Sequence, residues 1–236
     1  MAEQRLDKII SSTGQASRRE VKRMVHQGRV TVDGVTAQSA EEKYDPNAVT
    51  ICVDGEIVRY AAYHYFMLHK PAGVLSATED CNQKTVLDLL SERDQKLGLF
   101  PVGRLDKDTT GLLLLTDDGT FAHRVISPKQ HVAKYYYAKL DGCLQESDVQ
   151  AFGDGLVLAD GLQCIPAELR LLGDGSEVQV TVFEGKYHQV KRMIASRGAH
   201  VVALHRISIG QLLLDPALKP GNYRALTLYE QEQIFE

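Results

Sequence analysis

Tryptophan is absent, and the four cysteines, Cys52, Cys81, Cys143 and Cys164, are scattered through 236 residues with no CxxC pair and no Cys/His ligand spacing. Reduced, structurally ordinary thiols are expected, and no metal. No apolar run approaches the ~20 residues that cross a bilayer. Met1 to Gly14 lacks the apolar centre of a signal peptide, so the chain reads as cytoplasmic, with no membrane partner. Internal repeats and low-complexity tracts are missing too. So is any excess of basic charge: the net charge of −4 argues, as a total, against a nucleic-acid partner. What is present, 44% apolar and 25% charged residues, is the composition of an ordinary globular chain. Its length suits one large domain, or a small one plus a larger one.

The total hides how charge is distributed. Arg5, Lys8, Arg18, Arg19, Lys22, Arg23 and Arg29 are set against only Glu3, Asp7 and Glu20 in the first thirty residues. A second basic stretch holds Lys186, Lys191, Arg192, Arg197 and Arg206, with His188, His200 and His205, against Glu184 alone. Leu6, Ile9 and Ile10 follow the helical i, i+3, i+4 rule. Ser17-Arg18-Arg19-Glu20 has the form of a capping box. The helix it opens places Val21, Met24 and Val25 on one face and its cations on the rest. Gly28 suits a left-handed stop, and Val30 to Thr36 reads as a hairpin on an Asp33-Gly34 turn. A solvated face is the ordinary explanation of a charged helix, but such faces mix signs and this one is mostly basic.

From Tyr65 the composition changes. Tyr65 to Leu68 reads as a strand and His69 to Gly73 as a turn opening a new domain. A short helix is expected after Thr85, a helix from Asp118 to Ser127 stopped by Pro128, and a strand over Lys134 to Leu140. Ser147 and Gln150 have capping-box spacing. Leu169 and Leu171, then Val178, Val180 and Val182, alternate around Asp174-Gly175 as in a hairpin. Tyr187 to Arg197 is expected to be a helix burying Val190, Met193 and Ile194. Strands are expected at 200–205 and 211–214, and a last helix capped by Thr227 and Glu230. The pattern predicts an α+β fold with a mixed, mostly antiparallel sheet flanked by helices. Residues 1–60 are expected to form a small domain and 61–236 a larger one.

Between these elements lies PVGRLDKDTTGLLLLTDDG, residues 101–119. Its LLLL run reads as a buried strand, and the charged loop before it is a means of holding a carboxylate at the edge of a cleft. Asp106 is the first candidate for chemistry. Asp106 to Thr110 also satisfies the DxDxT pattern of aspartate-dependent phosphatases, but there the aspartates follow a strand and here the apolar run follows the aspartates. A glycosidase carboxylate pair is the other rival, and no aromatic sugar-binding array accompanies it. A turn-capping role competes strongly at Asp108 and less at Asp106.

The longer pattern resembles a known family. GRLDKDTTGLLLLTDDG, with HKPAG before it and EGKYHQVKRM after it, is similar to the motif series of RNA pseudouridine synthases over about residues 64–232. RLDKIIS, SRREVKRMVHQGRVTVDG and TICVDGEIV, over about residues 3–59, resemble an S4 RNA-binding domain. Together they narrow the resemblance to the S4-bearing RsuA/RluB/E/F branch, and YHQVKRM is most like its small-subunit members. The resemblance implies a cofactor-independent isomerase that converts a uridine of 16S ribosomal RNA to pseudouridine, working as a monomer on the RNA or on a small-subunit assembly intermediate. A 23S target is the alternative, as is a non-catalytic assembly factor. It implies catalytic roles for Asp106, for Tyr136 against the target base, and for Lys191 as cationic partner, where the family usually has arginine. Arg192 is expected to share that role, since lysine lacks the bidentate fork. Leu204 is implied as apolar packing beneath the site. Arg104 is expected to touch RNA or, equally, to pair with Asp108. Arg5, Lys8, Arg18, Arg19, Lys22 and Arg23 are the expected RNA contacts of the first domain. His188 and His205 are expected to contact phosphate or simply pack.

Overall fold

The computed structural model describes residues 3–236. Cα packing divides the chain into two compact units, Met1–His64 with Leu90–Leu99, and Tyr65–Leu89 with Phe100–Glu236.

The first unit runs β1 (Gln4–Arg5), α1 (Leu6–Ser11), α2 (Arg18–His26), β2 (Val30–Val32), β3 (Val35–Thr36), β4 (Lys43–Tyr44), β5 (Ile51–Val53) and β6 (Glu56–Ile57). Leu6, Ile9 and Ile10 of α1 meet Val21 and Val25 of α2 in a core closed by Val30, Val32 and Ile51. The expected capping box forms: the Glu20 amide donates to Ser17 Oγ at 3.3 Å, and the Ser17 amide to the Glu20 carboxylate at 2.7 Å. Asp33 and Gly34 take φ of 49° and 81°, the pair of positive values that a two-residue hairpin turn needs. The strands order β3-β2-β5-β6, with β1 against β4. Leu90–Leu99 joins this unit although it lies within the second domain's sequence; its Arg93 Nε donates to the Thr13 carbonyl at 2.9 Å. The packing boundary thus falls after His64, where the sequence reading placed it after Tyr60, and no local pattern in 90–99 announces that distant partner.

The second unit holds β7 (Tyr65–Lys70), β8 (Phe100–Pro101), β9 (Thr110–Thr116), α3 (Gly119–Ile126), β10 (Lys134–Asp141), α4 (Glu146–Asp154), β11 (Glu168–Leu172), β12 (Glu177–Val182), α5 (Gln189–Ala195), β13 (His200–Ile209), β14 (Leu212–Leu213), β15 (Tyr223–Ala225) and α6 (Leu228–Gln233). One sheet orders them β11-β12-β10-β13-β9-β7-β15, with β14 beside β13 and β8 beside β9. Its neighbours are antiparallel except β9 and β13, which run parallel. This is the expected α+β fold with a mixed, mostly antiparallel sheet. Leu112 to Leu115 of β9 are all buried, so both faces of the strand are covered, which is why its apolar run does not alternate. Ala138 and Leu140 of β10 and Val178 and Val180 of β12 pack under α4 and α5. Leu112 and Leu114 pack with Met67 and with Phe121 and Val125 of α3.

Several local expectations are corrected. His69 and Lys70 end β7 instead of starting a turn, because their backbone pairs with Leu112 and Gly111. Only a 3₁₀ turn, Leu87–Leu89, forms where a helix was expected after Thr85. The cap of α4 is Gln145 with Asp148, not Ser147 with Gln150: the Gln145 amide donates to Asp148 at 2.8 Å, and Arg197 also holds that carboxylate, at 2.6 Å. The helix expected from Tyr187 starts at Gln189, because His188 is left-handed with φ 48°. The strand expected at 200–205 continues to Ile209, paired with β10 along its length.

Gly111 makes the parallel contact possible. Its φ is +107°, and a Cβ there would lie 2.2 Å from the Arg206 carbonyl oxygen and 2.6 Å from the Arg206 nitrogen, both backbone atoms. Gly111→Ala is expected to destabilise the protein by about 2–3 kcal/mol, since a strained dihedral alone costs about 1–3. Thermal unfolding would check this; an unchanged Tm would contradict the close approach.

Candidate active site

The loop between β8 and β9 carries Asp106 to the mouth of a cleft, and the segment after β7 holds that loop in place. Ser76 Oγ donates to the Leu105 carbonyl at 2.8 Å and accepts from the Leu105 amide at 3.1 Å. The Gly73 amide donates to the Lys107 carbonyl at 2.7 Å. Beneath the loop lies the wholly buried Lys70, whose Nζ donates to four carbonyls: Thr109 at 2.9 Å, Pro71 at 3.0 Å, Asp106 at 3.1 Å and Lys107 at 3.3 Å. Burial lowers its pKa to about 8, against the pull of Asp108 and Asp106.

Two cationic or potentially cationic groups meet at the Asp106 carboxylate. Lys191 Nζ of α5 is 3.1 Å from Oδ2 and His188 Nε2 is 3.4 Å from Oδ1. Lys191 also reaches Asp108 Oδ1, at 2.6 Å, so one ammonium bridges two carboxylates. Burial works against that ammonium, but its hydrogen bonds to Asp108 and Asp106 carry its pKa above the usual lysine value. The bond from Lys191 holds the Asp108 carboxyl below its usual range. Asp108 is therefore an ion-pair partner of Lys191, not of Arg104 and not merely a turn cap.

Arg192 points elsewhere: its Nη2 is 2.5 Å from Asp160, so it does not share the Asp106 contact. Successive positions at the start of a helix face different ways, and this separates it from Lys191. Arg104 is exposed on the rim of the cleft. Tyr136 and Leu204 lie on the paired strands β10 and β13 and line the cleft with Asp106 and Lys191. Tyr135, the neighbour of Tyr136 in β10, is half exposed and its side chain belongs to the other face, as strand alternation requires. His188 stacks on the exposed ring of Tyr187 with centroids 3.9 Å apart. His205 Nδ1 lies 2.8 Å from Thr110 Oγ1, and burial lowers its pKa.

Sequence reading missed Lys70, Lys134, Glu184 and Arg206. Lys134 alternates with Tyr136, Ala138 and Leu140, and Arg206 with Leu204, so each cation stands on an inward-facing strand position, which is the signal that marks them; past Arg206 a bulge breaks the alternation and sets Ser208 opposite Tyr135. Arg206 is 4% exposed; its Nε donates to the Leu112 carbonyl at 2.7 Å and its Nη1 to Tyr136 Oη at 3.3 Å. Burial, with Arg206 nearby, lowers the pKa of Lys134 to about 8. Glu184 is buried and committed, accepting from Gln189 at 2.8 Å and from the Ile165 amide at 3.1 Å, with Lys186 at 3.0 Å. Among the described residues no group of three or more His, Cys, Asp or Glu side chains is arranged to hold a metal ion, and no helix is long and apolar enough to cross a membrane.

In the first unit, acids offset much of the basic face. Arg5 pairs with Asp7 and Glu41, each at 2.9 Å; Arg18 pairs with Asp7 at 2.9 Å, Lys22 with Glu41 at 3.1 Å and Arg23 with Glu20 at 4.0 Å. Lys8 and Arg19 are exposed and have no ion-pair partner among the described residues. If this face binds phosphate, Lys8→Ala with Arg19→Ala is expected to flatten the slope of log K against log salt by about 1.4–1.8, at roughly 0.7–0.9 per phosphate contact. A filter-binding titration over salt measures the slope; no change would place the RNA contact elsewhere.

The RNA pseudouridylate synthase family profile matches residues 64–196, and the S4 domain profile matches residues 4–49. An uncharacterized RNA pseudouridine synthase of Bacillus subtilis is 46% identical over 235 residues, covering 98% of both chains. The ribosomal small subunit pseudouridine synthase A of Vibrio cholerae is 41% identical over 98% of this chain and 100% of its own length; its Escherichia coli namesake is 41% identical over 94% and 96%. A crystal structure of a pseudouridylate synthase superimposes with a TM-score of 0.69 at 37% identity, covering 98% of this chain and 99% of that one.

Proposed function

Because the chain belongs to the RNA pseudouridylate synthase family, we propose that it isomerises a uridine of small-subunit (16S) ribosomal RNA to pseudouridine, with Asp106 as the catalytic carboxylate and no cofactor. The observation that carries this reading is the position of Asp106. Its carboxylate lies at a cleft mouth between Lys191 and His188, 3.1 and 3.4 Å away, with Tyr136 lining the same cleft. The reaction breaks an N-glycosidic bond, turns the uracil and rejoins it through C5, with no net redox change and no second reactant. It needs a carboxylate placed either to attack C1′ or to remove a sugar proton. The Lys191 ammonium, 3.1 Å away, holds that of Asp106 in position. The target base must leave its helix or lie in a loop to reach Asp106, and Tyr136 offers it a stacking face.

Residues 1–60 act in this proposal as the RNA-binding domain and 61–236 as the synthase domain, in a cytoplasmic monomer acting on ribosomal RNA or on an assembling small subunit. The small-subunit target is supported by the Vibrio and Escherichia relatives, which are named for it and align over nearly their whole length. Tritium release from [5-³H]uridine-labelled small-subunit and large-subunit rRNA is the direct test. Release from the small-subunit RNA alone is expected. Release from the large-subunit RNA alone would move the target, and release from neither would favour a non-catalytic assembly role.

A further inference from the structure

Beyond Asp106 the cleft continues into a cavity of about 330 Å³, a size suited to a small ligand, lined by Val102, Val125, Ile126 and Ile209 and by two buried cations, Lys134 and Arg206, with Arg104 and Lys186 less buried. Tyr136 and Asp106 belong to both parts, so whatever lies against Tyr136 has open space beside it. The cations are unusual in two respects. Lys134 and Arg206 are 7% and 4% exposed, and neither has an acidic partner among the described residues. Arg206 spends Nε on the Leu112 carbonyl and Nη1 on Tyr136, while its buried Nη2 has no hydrogen-bond partner. Lys134 Nζ donates to the Val132 carbonyl at 2.7 Å and retains further donor capacity. Two buried positive charges without a counter-charge oppose folding, and such an arrangement is retained where negative charge arrives during function.

Neither acid that lines the same cavity serves as that counter-charge: Asp106 faces Lys191 and His188, and the Glu184 carboxylate is taken by Gln189, the Ile165 amide and Lys186. Apolar walls on the other side suit a flat ring better than a hydrated phosphate. In the isomerisation, Asp106 either donates an electron pair to C1′ or removes the C2′ proton, and by either route the C1′–N1 bond breaks with its pair leaving on N1. The ring is then a uracil anion, with charge shared among N1, O2 and O4. It turns, C5 uses the C5–C6 π pair to bond C1′, the carboxylate or the borrowed proton is returned, C5 loses its proton and N1 gains one. Atoms and electrons balance, and the negative charge that develops is carried by the detached ring.

We propose that this inner cavity receives the detached uracil while it turns, and that Arg206, with Lys134 beside it, takes up the negative charge released onto the ring. The inference rests on the uridine-isomerising reading and adds a site and a role to it. Arg206 would face the ring from the cavity wall, and its bond to Tyr136 would keep the stacking surface and the charge acceptor in one unit.

Two measurements test it. In single-turnover reactions on the same RNA, Arg206→Met is expected to slow uridine conversion by about a hundredfold, as for the loss of one preorganised charge donor. It should slow 5-fluorouridine less, because the 5-fluorouracil anion is a weaker base that needs less help to leave. Arg206→Lys should recover part of the uridine rate and Lys134→Gln should show a smaller loss of the same kind. Independently of turnover, wild type should bind 5-nitrouracil, which is ionised at neutral pH, more tightly than neutral uracil, and Arg206→Met should lose that preference while circular dichroism confirms its fold. Equal slowing of both nucleosides, or no preference for 5-nitrouracil in wild type, would overturn the proposal. Weaker RNA binding with an unchanged conversion rate would instead assign the cations to a phosphate, and would also overturn it. A wild type that forms no pseudouridine on any RNA defeats the broader reading; an active wild type with an indifferent Arg206→Met defeats this inference alone.

Discussion

Asp106→Asn is expected to stop pseudouridine formation, lowering the single-turnover rate by at least about 10⁴-fold, while leaving the fold and RNA affinity in place. The amide keeps the shape of the carboxylate but can neither attack C1′ nor take a proton. The structure also explains why stability should survive. Lys191 touches two carboxylates and, without Asp106, keeps Asp108 at 2.6 Å, so no cation is orphaned. Asp108→Asn removes the more exposed of the two, 75% against 27% exposed, and leaves Lys191 on Asp106; its effect on rate is expected to stay within about tenfold, as for the loss of one exposed ion pair. Tritium release and a melting curve on each variant measure both halves. An Asp106→Asn protein that still turned over at close to the wild-type rate would assign the chemistry to another group.

Lys70→Met is expected to lower both stability and turnover although Lys70 lines neither part of the cleft. Of the four carbonyls it serves, Asp106 O keeps the Thr109 amide as donor and Lys107 O keeps the Gly73 amide. Pro71 O and Thr109 O would lose the ammonium, and each stranded buried acceptor costs about 1–3 kcal/mol. A total near ~3 kcal/mol corresponds to a Tm fall of roughly 6–12 °C for a protein of this size. Turnover should fall as well, because those carbonyls flank or belong to the loop that aims Asp106, and small misplacements are expensive in rate.

The pH dependence of the same pair is a second readout. With its folded pKa lowered by burial to about 8 and an unfolded value of ~10.4, Lys70 binds more protons unfolded than folded between these limits. Its contribution to stability therefore rises with pH across that window and is flat below it. The difference in stability between wild type and Lys70→Met should widen above about pH 8. A difference independent of pH would mean that the ammonium titrates as it does in water.

Patterns with local causes were legible in the sequence. The Ser17–Glu20 cap, the Asp33-Gly34 turn and the buried 110–116 strand each depend on residues within a few positions of one another, and the structure reproduces them. The approach of Lys191 to Asp106 was implied by the family resemblance and by no local pattern. What escaped were consequences of long-range pairing. Lys70 looks like part of a turn because it precedes a proline and a glycine; only β9, some forty residues later, makes it the end of an interior strand. Arg206 lies past the point where the alternation of 200–205 weakens, and only pairing with β10 shows that the strand continues and that its guanidinium faces inward. Arg192 and Asp160 are separated by a hairpin, and that Arg192 does not share the role of Lys191 needed that partner to be seen.

Leu90–Leu99 packs with Met1–His64 although it is flanked on both sides by residues of the second unit. The polypeptide thus passes between the two units three times, at 64/65, 89/90 and 99/100. Two modules joined end to end would need one passage, and a single protease cut or a single truncation would separate them. Here neither can. A fragment beginning at Tyr65 still carries Arg93 without the Thr13 carbonyl it donates to, and a fragment ending at His64 lacks Leu90–Leu99 altogether. The RNA-binding part and the synthase part are therefore interleaved along the chain, and neither can be lost, exchanged or shed by one cut without leaving a piece of itself in the other.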